Sequence, residues 1–241
     1  MTESNRVAIV TGASRGLGLV IARVLADRGW RLVIGARGAE ALAAAAAGLR
    51  ARGAPVVEVA GDITDASVRG RLVDAAGTLG GLDLLVNNAS ELGPIGPLAA
   101  CEVTRLGRIF PVNAGAPLAL MQLALPLLAP RRGLIVNVTS DAAAGAYEGW
   151  GPYGASKAAL ELLTRTLAKE LHGRVSAVLV DPGDMRTRMH QEAFPGEDIS
   201  DRPLPDATIP FWNWLFDQNP GDISGERFAA QQKDARWLQP A

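Results

Sequence analysis

Tyr153 and Lys157 stand four residues apart in Tyr153-Gly154-Ala155-Ser156-Lys157, at the opening of a run with helical character. On a helix that spacing stacks the two side chains on one face. A phenol ordinarily ionises near pH ~10, so at neutral pH it is almost fully protonated. A neighbouring ammonium favours the phenolate, and a fall of about three pK units requires roughly 4 kcal/mol of differential stabilisation. Such a tyrosine gives or takes the proton of a carbonyl/alcohol pair. Alone, Tyr-x-x-x-Lys is common on surface helices, so it needs partners. Ser140 ends the apolar run Leu134-Ile135-Val136-Asn137-Val138-Thr139. Its hydroxyl suits a hydrogen bond to a substrate oxygen beside Tyr153, although the commoner use of such a serine is as a cap.

A second cluster lies near the start. Val7-Ala8-Ile9-Val10 runs into Thr11-Gly12-Ala13-Ser14-Arg15-Gly16-Leu17-Gly18. Glycines between a strand and a helix allow a tight turn and a close approach of a dinucleotide pyrophosphate, with the helix N-terminus offering free N–H groups. The strand-before, helix-after context is what such a motif requires. The next strand chooses the cofactor. An NAD site would carry an acidic residue near its end, to hold the ribose 2′-OH. Here the chain reads Gly35-Ala36-Arg37, and Arg15 sits in the glycine turn. Two arginines with no carboxylate suit a 2′-phosphate, because a guanidinium grips phosphate in a fork. NADP is therefore expected ahead of NAD.

These side chains need a scaffold. The chain has 241 residues, 48% of them hydrophobic and 20% charged, with a formal net charge of -1. That is ample for a sizeable core and excludes general disorder. The charge balance argues against a nucleic-acid partner. One cysteine, Cys101, excludes an internal disulfide, and two histidines, His172 and His190, leave little for a metal site. The start, MTESNRVAIV, does not read as a secretory signal. The most apolar stretch, Ala114 to Pro130, falls short of the roughly 20 residues that span a bilayer. A cytoplasmic protein with no membrane partner is expected.

Strands are predicted at Arg6–Thr11, Arg31–Ala36, Pro55–Ala60, Leu82–Asn87, Gly133–Thr139 and Arg174–Val180. Near-continuous apolar runs of this kind suit strands covered on both faces. Helices are predicted at Leu17–Arg28, Ala39–Arg52, Ala66–Leu79, about Cys101–Leu128, and Tyr153–Leu171. Repeated βα units imply one doubly wound domain over residues 1–241, a parallel sheet with helices on both faces. Beyond Val180 the pattern decays, and Trp212, Trp214 and Trp237 suggest irregular elements around a site.

Taken together the motifs resemble the short-chain dehydrogenase/reductase family, in its short, single-domain Rossmann branch. The matching residues are Thr11-Gly12-x-x-x-Gly16-x-Gly18, Asp62 in Gly61-Asp62-Ile63, Asn87-Asn88-Ala89, Asn113, Ser140, Tyr153-x-x-x-Lys157, and Pro182-Gly183 followed by Thr187. The 13-residue spacing from Ser140 to Tyr153 also matches, and the likeness runs from about Val7 to Thr187. The resemblance implies Tyr153 as general acid/base, Lys157 lowering its pKa and holding the nicotinamide ribose, and Ser140 orienting the substrate carbonyl. It implies that Asn113 anchors a water linking Lys157 to solvent. Cofactor contacts are implied for Gly12, Ser14, Arg15, Gly16, Leu17, Gly18 and Arg37, for Asp62 and Ile63 at the adenine, and for Asn87, Asn88 and Ala89. Pro182 and Gly183 are implied as further cofactor contacts, Thr187 would hold the carboxamide, and no metal is called for. Three departures stand out. Ser90 replaces a glycine after Asn-Asn-Ala, Pro111, Gly115 and Pro117 surround Asn113, and the closing Asp-Gly-Gly is missing after Ile223-Ser224-Gly225-Glu226-Arg227-Phe228.

The expected activity is hydride transfer between NADP(H) and a carbonyl/secondary-alcohol pair, as a ketone reductase on an apolar or cyclic small molecule. Specificity would come from Glu91–Pro97, Asp141–Trp150 and the segment after Gly183, with a lid over about residues 184–220; these segments carry Tyr147, Trp150, Phe194, Phe211, Trp212 and Trp214. The same aromatics would equally serve a subunit interface, and a homo-oligomer, dimer or tetramer, is expected by resemblance. The alternative is a non-catalytic NADP-binding regulator on the same fold.

Overall fold

Short runs of Val, Ile, Leu and Ala, covered on both sides, build one seven-stranded parallel sheet in a computed structural model that describes residues 5–231. Its strands are β1 (Val7–Thr11), β2 (Arg31–Ala36), β3 (Val56–Ala60), β4 (Leu84–Asn87), β5 (Leu134–Val138), β6 (Ser176–Asp181) and β7 (Arg227–Ala229). They lie in the order β3-β2-β1-β4-β5-β6-β7. Every residue of β1, β4, β5 and β6 is buried, as a sheet sandwiched between helix layers demands. β7 was not expected as a strand; it pairs with β6 from Leu179↔Arg227 to Asp181↔Ala229.

Five long helices cover the sheet: α1 (Gly16–Asp27), α2 (Ala39–Arg50), α3 (Ala66–Thr78), α4 (Ala116–Leu128) and α5 (Gly151–Glu170). Successive strand residues face opposite layers. Ala8 and Val10 of β1 join the core under α1 and α2, whereas Val7 and Ile9 join the core under α3, α4 and α5. β2 and β4 flank β1 on its two sides. That reversal of strand order opens a crevice at the carboxyl ends, where open α/β sheets bind ligands.

The structure departs from the expected elements in two places. The helix expected from Cys101 starts only at Ile109; residues before it form the 3-10 turn Val103–Leu106 and loop. A π turn, Pro111–Gly115, then leads into α4. Pro111 and Pro117 cannot donate backbone N–H bonds, which favours such an irregular turn. From Pro111 to Arg131 the rod has 21 residues and is long and apolar enough to cross a membrane, so it exceeds the shorter stretch read from sequence. Half of it is buried, and it packs on α3, α5, β4 and β5.

The second departure is in the tail, which holds three short helices: α6 (Arg188–Ala193), α7 (Ile209–Asp217) and α8 (Pro220–Ile223). Phe211 and Trp212 of α7 are fully buried and pack with Phe216, Trp30 and α1. They belong to the core rather than to a substrate pocket, and Trp214 packs on Phe211 and Phe228 beside them. Trp237 lies outside the described residues.

Candidate active site

A cleft of about 710 Å³ occupies the crevice. One wall is the glycine turn, where Gly12, Ser14, Arg15, Gly16, Leu17 and Gly18 all face it. Gly12 and Gly16 have φ of 68° and 55°, a left-handed conformation that only glycine adopts freely. A Cβ on Gly18 would sit 2.4 Å from the Gly12 carbonyl oxygen and 2.5 Å from Asn88 Nδ2, so turn and helix meet there with no room for a side chain. The first turn of α1 has neither a side-chain cap nor an acidic residue. Its free N–H groups and positive dipole end suit the pyrophosphate of a dinucleotide, and the cleft fits one. Across the crevice Thr11 Oγ1 accepts from the amides of Asn88 and Ala89, each at 3.0 Å, and Asn88 Nδ2 donates to the Thr11 carbonyl at 2.9 Å. These bonds tie the ends of β1 and β4 together.

The far end of the cleft carries charges. Arg37 Nη1 donates to Glu91 Oε1 at 2.5 Å, and Arg108 Nη2 donates to Asp62 Oδ2 at 2.8 Å and to Glu91 Oε1 at 3.1 Å. Asp62 is held down at about 2, chiefly by the Thr64 amide, with the Thr64 hydroxyl and Arg108 acting in the same direction against its partial burial. Arg15, Arg37, Asp62, Ile63, Asn88 and Ala89 all line this cleft. Glu91 and Arg108 also line it. The sequence placed Glu91 at the start of a substrate-side segment, and nothing local signalled Arg108.

At the other end, α5 presents Tyr153, Lys157 and Glu161 on one buried face, at i, i+4 and i+8. Lys157 Nζ donates to the Val138 carbonyl at 2.9 Å and lies 5.7 Å from the Tyr153 ring centroid. The expected lowering of the phenol does not appear. Burial pushes Tyr153 up to about 12, although the hydroxyls of Ser140 and Ser90 pull the other way. Burial likewise brings Lys157 down to about 8. Desolvation of the charged form is the largest cause at both groups.

Ser140 acts as a cap and also lies next to Tyr153. Its Oγ accepts from the Ala142 amide at 3.2 Å, capping the turn Asp141–Ala143, and it also stands beside the Tyr153 hydroxyl. Asn113 sits in the π turn with its side chain fully engaged. Oδ1 accepts from Ser90 Oγ at 3.0 Å and the Glu91 amide at 2.8 Å, while Nδ2 donates to the Glu91 carbonyl at 2.8 Å and Ser156 Oγ at 2.9 Å. Its side chain therefore has no donor or acceptor left over, and Pro117 has no N–H to close the i+4 bond onto the Asn113 carbonyl. Asn87 departs from expectation: it is buried off the cleft, with Nδ2 donating to Asn137 Oδ1 at 2.8 Å. Pro182 and Thr187 line the cleft, whereas Gly183 turns beside it at φ 71°.

Residues 6–198 match the sequence profile of the short chain dehydrogenases. The chain belongs to the short-chain dehydrogenase/reductase family. A 1-deoxy-11-beta-hydroxypentalenate dehydrogenase of Streptomyces exfoliatus is 36% identical over 197 residues, 79% of this chain and 71% of that one. An L-xylo-3-hexulose reductase of Hypocrea jecorina is 36% identical over 230 residues, 84% of this chain and 74% of that one. Among solved structures, a short chain dehydrogenase from Escherichia coli CFT073 complexed with NADPH superposes with TM-score 0.88 and 29% identity, covering 94% of this chain and 97% of that one.

This short-chain dehydrogenase/reductase carries an aromatic row beside Tyr153. Trp150 meets Tyr153 edge-on at 5.7 Å, Phe194 packs on Trp150 at 5.8 Å, and His190 packs on Phe194 at 4.9 Å. Trp150 and Phe194 were expected there; His190 was not. Tyr147 is exposed and donates to Asp141 Oδ2 at 2.7 Å. Among the described residues, no group of three His, Cys, Asp or Glu could hold a metal ion.

Proposed function

We propose that this family member is an NADP(H)-dependent reductase that converts a ketone to a secondary alcohol. The observation that carries the reading is Tyr153: a buried phenol flanked by two serine hydroxyls, with an ammonium one helical turn away. Bound NADPH supplies the hydride. The glycine turn and the α1 N-terminus hold its pyrophosphate, Arg15 and Arg37 its 2′-phosphate, Asp62 and Ile63 its adenine, and Lys157, Pro182 and Thr187 its nicotinamide end. NADP-bound relatives support this assignment.

Tyr153 delivers its proton to the carbonyl oxygen, and its raised pKa keeps that proton present at neutral pH, which favours reduction. Ser140 donates a hydrogen bond to the same oxygen. Lys157 stabilises the phenolate left behind, and a water on the Asn113 carbonyl passes protons to Lys157. The row of Trp150 and Phe194 supports an apolar or cyclic substrate, under a lid drawn from the cleft-facing part of residues 184–220. Leu123 of α4 and Leu162 of α5 stay exposed, which supports a homo-oligomer joined through these helices.

The test is NADPH oxidation against a panel of ketones, aldehydes and quinones, repeated with NADH and with Tyr153→Phe. Turnover is expected with NADPH and a ketone, falling at least ~100-fold in the variant while NADPH binding survives. Undiminished turnover in Tyr153→Phe would sink the mechanism. NADPH binding with no turnover of any carbonyl would return the protein to the regulator reading.

A further inference from the structure

The carboxyl end of β5 is gripped at three consecutive residues. Lys157 Nζ donates to the Val138 carbonyl at 2.9 Å, and Thr139 Oγ1 donates to Glu161 Oε1 at 2.8 Å. Arg227 Nη2 donates to the Ser140 carbonyl at 3.1 Å. The first two grips come from α5, the helix that carries Tyr153. The third comes from β7, across β6, in the segment where the family's closing Asp-Gly-Gly is missing.

Arg227 does more than touch Ser140. Its Nε donates to Glu161 Oε1 at 2.9 Å and its Nη2 also reaches Asp181 Oδ2 at 3.1 Å. Asp181 Oδ1 in turn accepts from the Gly183 amide at 3.0 Å, which orders the turn after β6. Glu161 is 4% exposed and is held on its other oxygen by Arg165 at 2.9 Å. Burial raises the Glu161 carboxyl, but bonds from Arg227, Thr139 and Arg165 bring it below the ordinary range, so it is an anion. A buried anion bonded on both oxygens, with a planar fork bridging it to a backbone carbonyl, fixes geometry better than a lone contact.

We propose that Arg227 is a positioning residue for Ser140: its guanidinium, anchored on Glu161, sets the distance between the catalytic serine and Tyr153. The inference rests on the reductase reading above. The serine hydroxyl must meet the carbonyl oxygen that Tyr153 protonates, and small displacements of such groups cost up to ~100-fold in rate. Arg227 touches no reacting atom; it acts through the backbone of Ser140. A lysine in its place keeps a charge for Glu161 but has one nitrogen where the fork has two.

The experiment is a double-mutant cycle of Arg227→Met and Ser140→Ala in the full chain, with NADPH and phenanthrenequinone as the probe, and with NADPH Kd from fluorescence titration. Arg227→Met is expected to lower kcat about tenfold or more while Kd for NADPH stays within about twofold. In the Ser140→Ala background the same change should cost less than about twofold, because the group it positions is already gone. Arg227→Lys should recover part of kcat, and it carries the same cycle if the methionine variant does not fold. Wild-type kcat in a folded Arg227 variant overturns the proposal. So does an equal loss in both backgrounds, which is the mark of a general structural role. Tyr153→Phe run alongside tests the reductase reading by itself: turnover there removes that reading, whereas additivity in the cycle removes only Arg227's role.

Discussion

Tyr153 and Lys157 are both buried in surroundings that disfavour their charged forms. Burial lifts the phenol to about 12 and lowers the ammonium to about 8. At neutral pH the phenol keeps its proton and Lys157 still carries its charge, the state needed to protonate a carbonyl. The chain has only two tyrosines, and the other, Tyr147, is also raised, by its hydrogen bond to Asp141. An absorbance titration of the cofactor-free protein should therefore show no phenolate forming below pH ~10. Tyr153→Phe should remove the later of two steps; a phenolate appearing near pH 8 in the free protein would contradict the burial argument. Arg37 tests the cofactor end. Its partner Glu91 lies within the cleft, so the guanidinium is already held where a phosphate would compete for it. A hydrogen bond to a charged group contributes about 1.5–3 kcal/mol. Arg37→Ala should raise the NADPH Kd about tenfold and leave that of NADH nearly unchanged, and an equal loss for both would remove the 2′-phosphate role.

The glycine turn and α1 work as one element because Gly18 lets the helix lie against the strand end. Gly18→Ala should weaken NADPH binding more than about tenfold and lower Tm, since its Cβ meets the Gly12 backbone at 2.4 Å as well as Asn88 Nδ2 at 2.5 Å. Gly48→Ala in α2 is the matched control. A Cβ there meets nothing within 4 Å, so the change should stabilise the protein by about 0.5–1 kcal/mol and leave the Kd alone. Calorimetry and titration of the pair check both directions. The same contrast explains what could be read without a structure. β1, its turn and α1 are contiguous, and Tyr153 and Lys157 share one helix, so their placement on the cleft follows from spacing. Asn87 failed because its partner Asn137 lies 50 residues away on the next strand, and no local pattern separates a sheet-bridging amide from a cleft-lining one. Phe211 and Trp212 failed for a related reason: an aromatic cluster in an irregular tail looks the same whether it covers a ligand or α1. Glu91 and Arg108 meet only when the ends of β2, β3 and β4 converge. The start of the helix after Cys101 was misjudged because apolar residues continue through a segment that the structure uses as loop.

For the molecule as a whole, the site is a burden on stability, and Lys157 shows how large. Its pKa falls from 10.5 in water-like surroundings to about 8 in the fold, so the folded state resists the proton that the unfolded chain accepts. The sign follows from linkage. Between pH 8 and 10.5 the unfolded state binds more protons, so stability rises with pH through that window, and the full penalty is present below pH 8. At 1.36 kcal/mol per pK unit the penalty is roughly 3 kcal/mol. Tyr153 acts oppositely, because a phenol raised from 10.0 to about 12 costs stability only above pH 10. The window from pH 8 to 10 therefore isolates the lysine. Lys157→Met keeps the length of the chain, removes the buried charge and gives up one charge-assisted bond to the Val138 carbonyl, worth about 1.5–3 kcal/mol. The variant should be inactive yet no less stable at pH 7, gaining up to about 1.5 kcal/mol, a rise in Tm of up to a few degrees for a domain of this size. Denaturant unfolding at pH 7, 8, 9 and 10 checks it. The wild-type curve should climb toward the variant's between pH 8 and 10, and parallel curves, or a less stable variant at pH 7, would show that the ammonium is not strained in the fold.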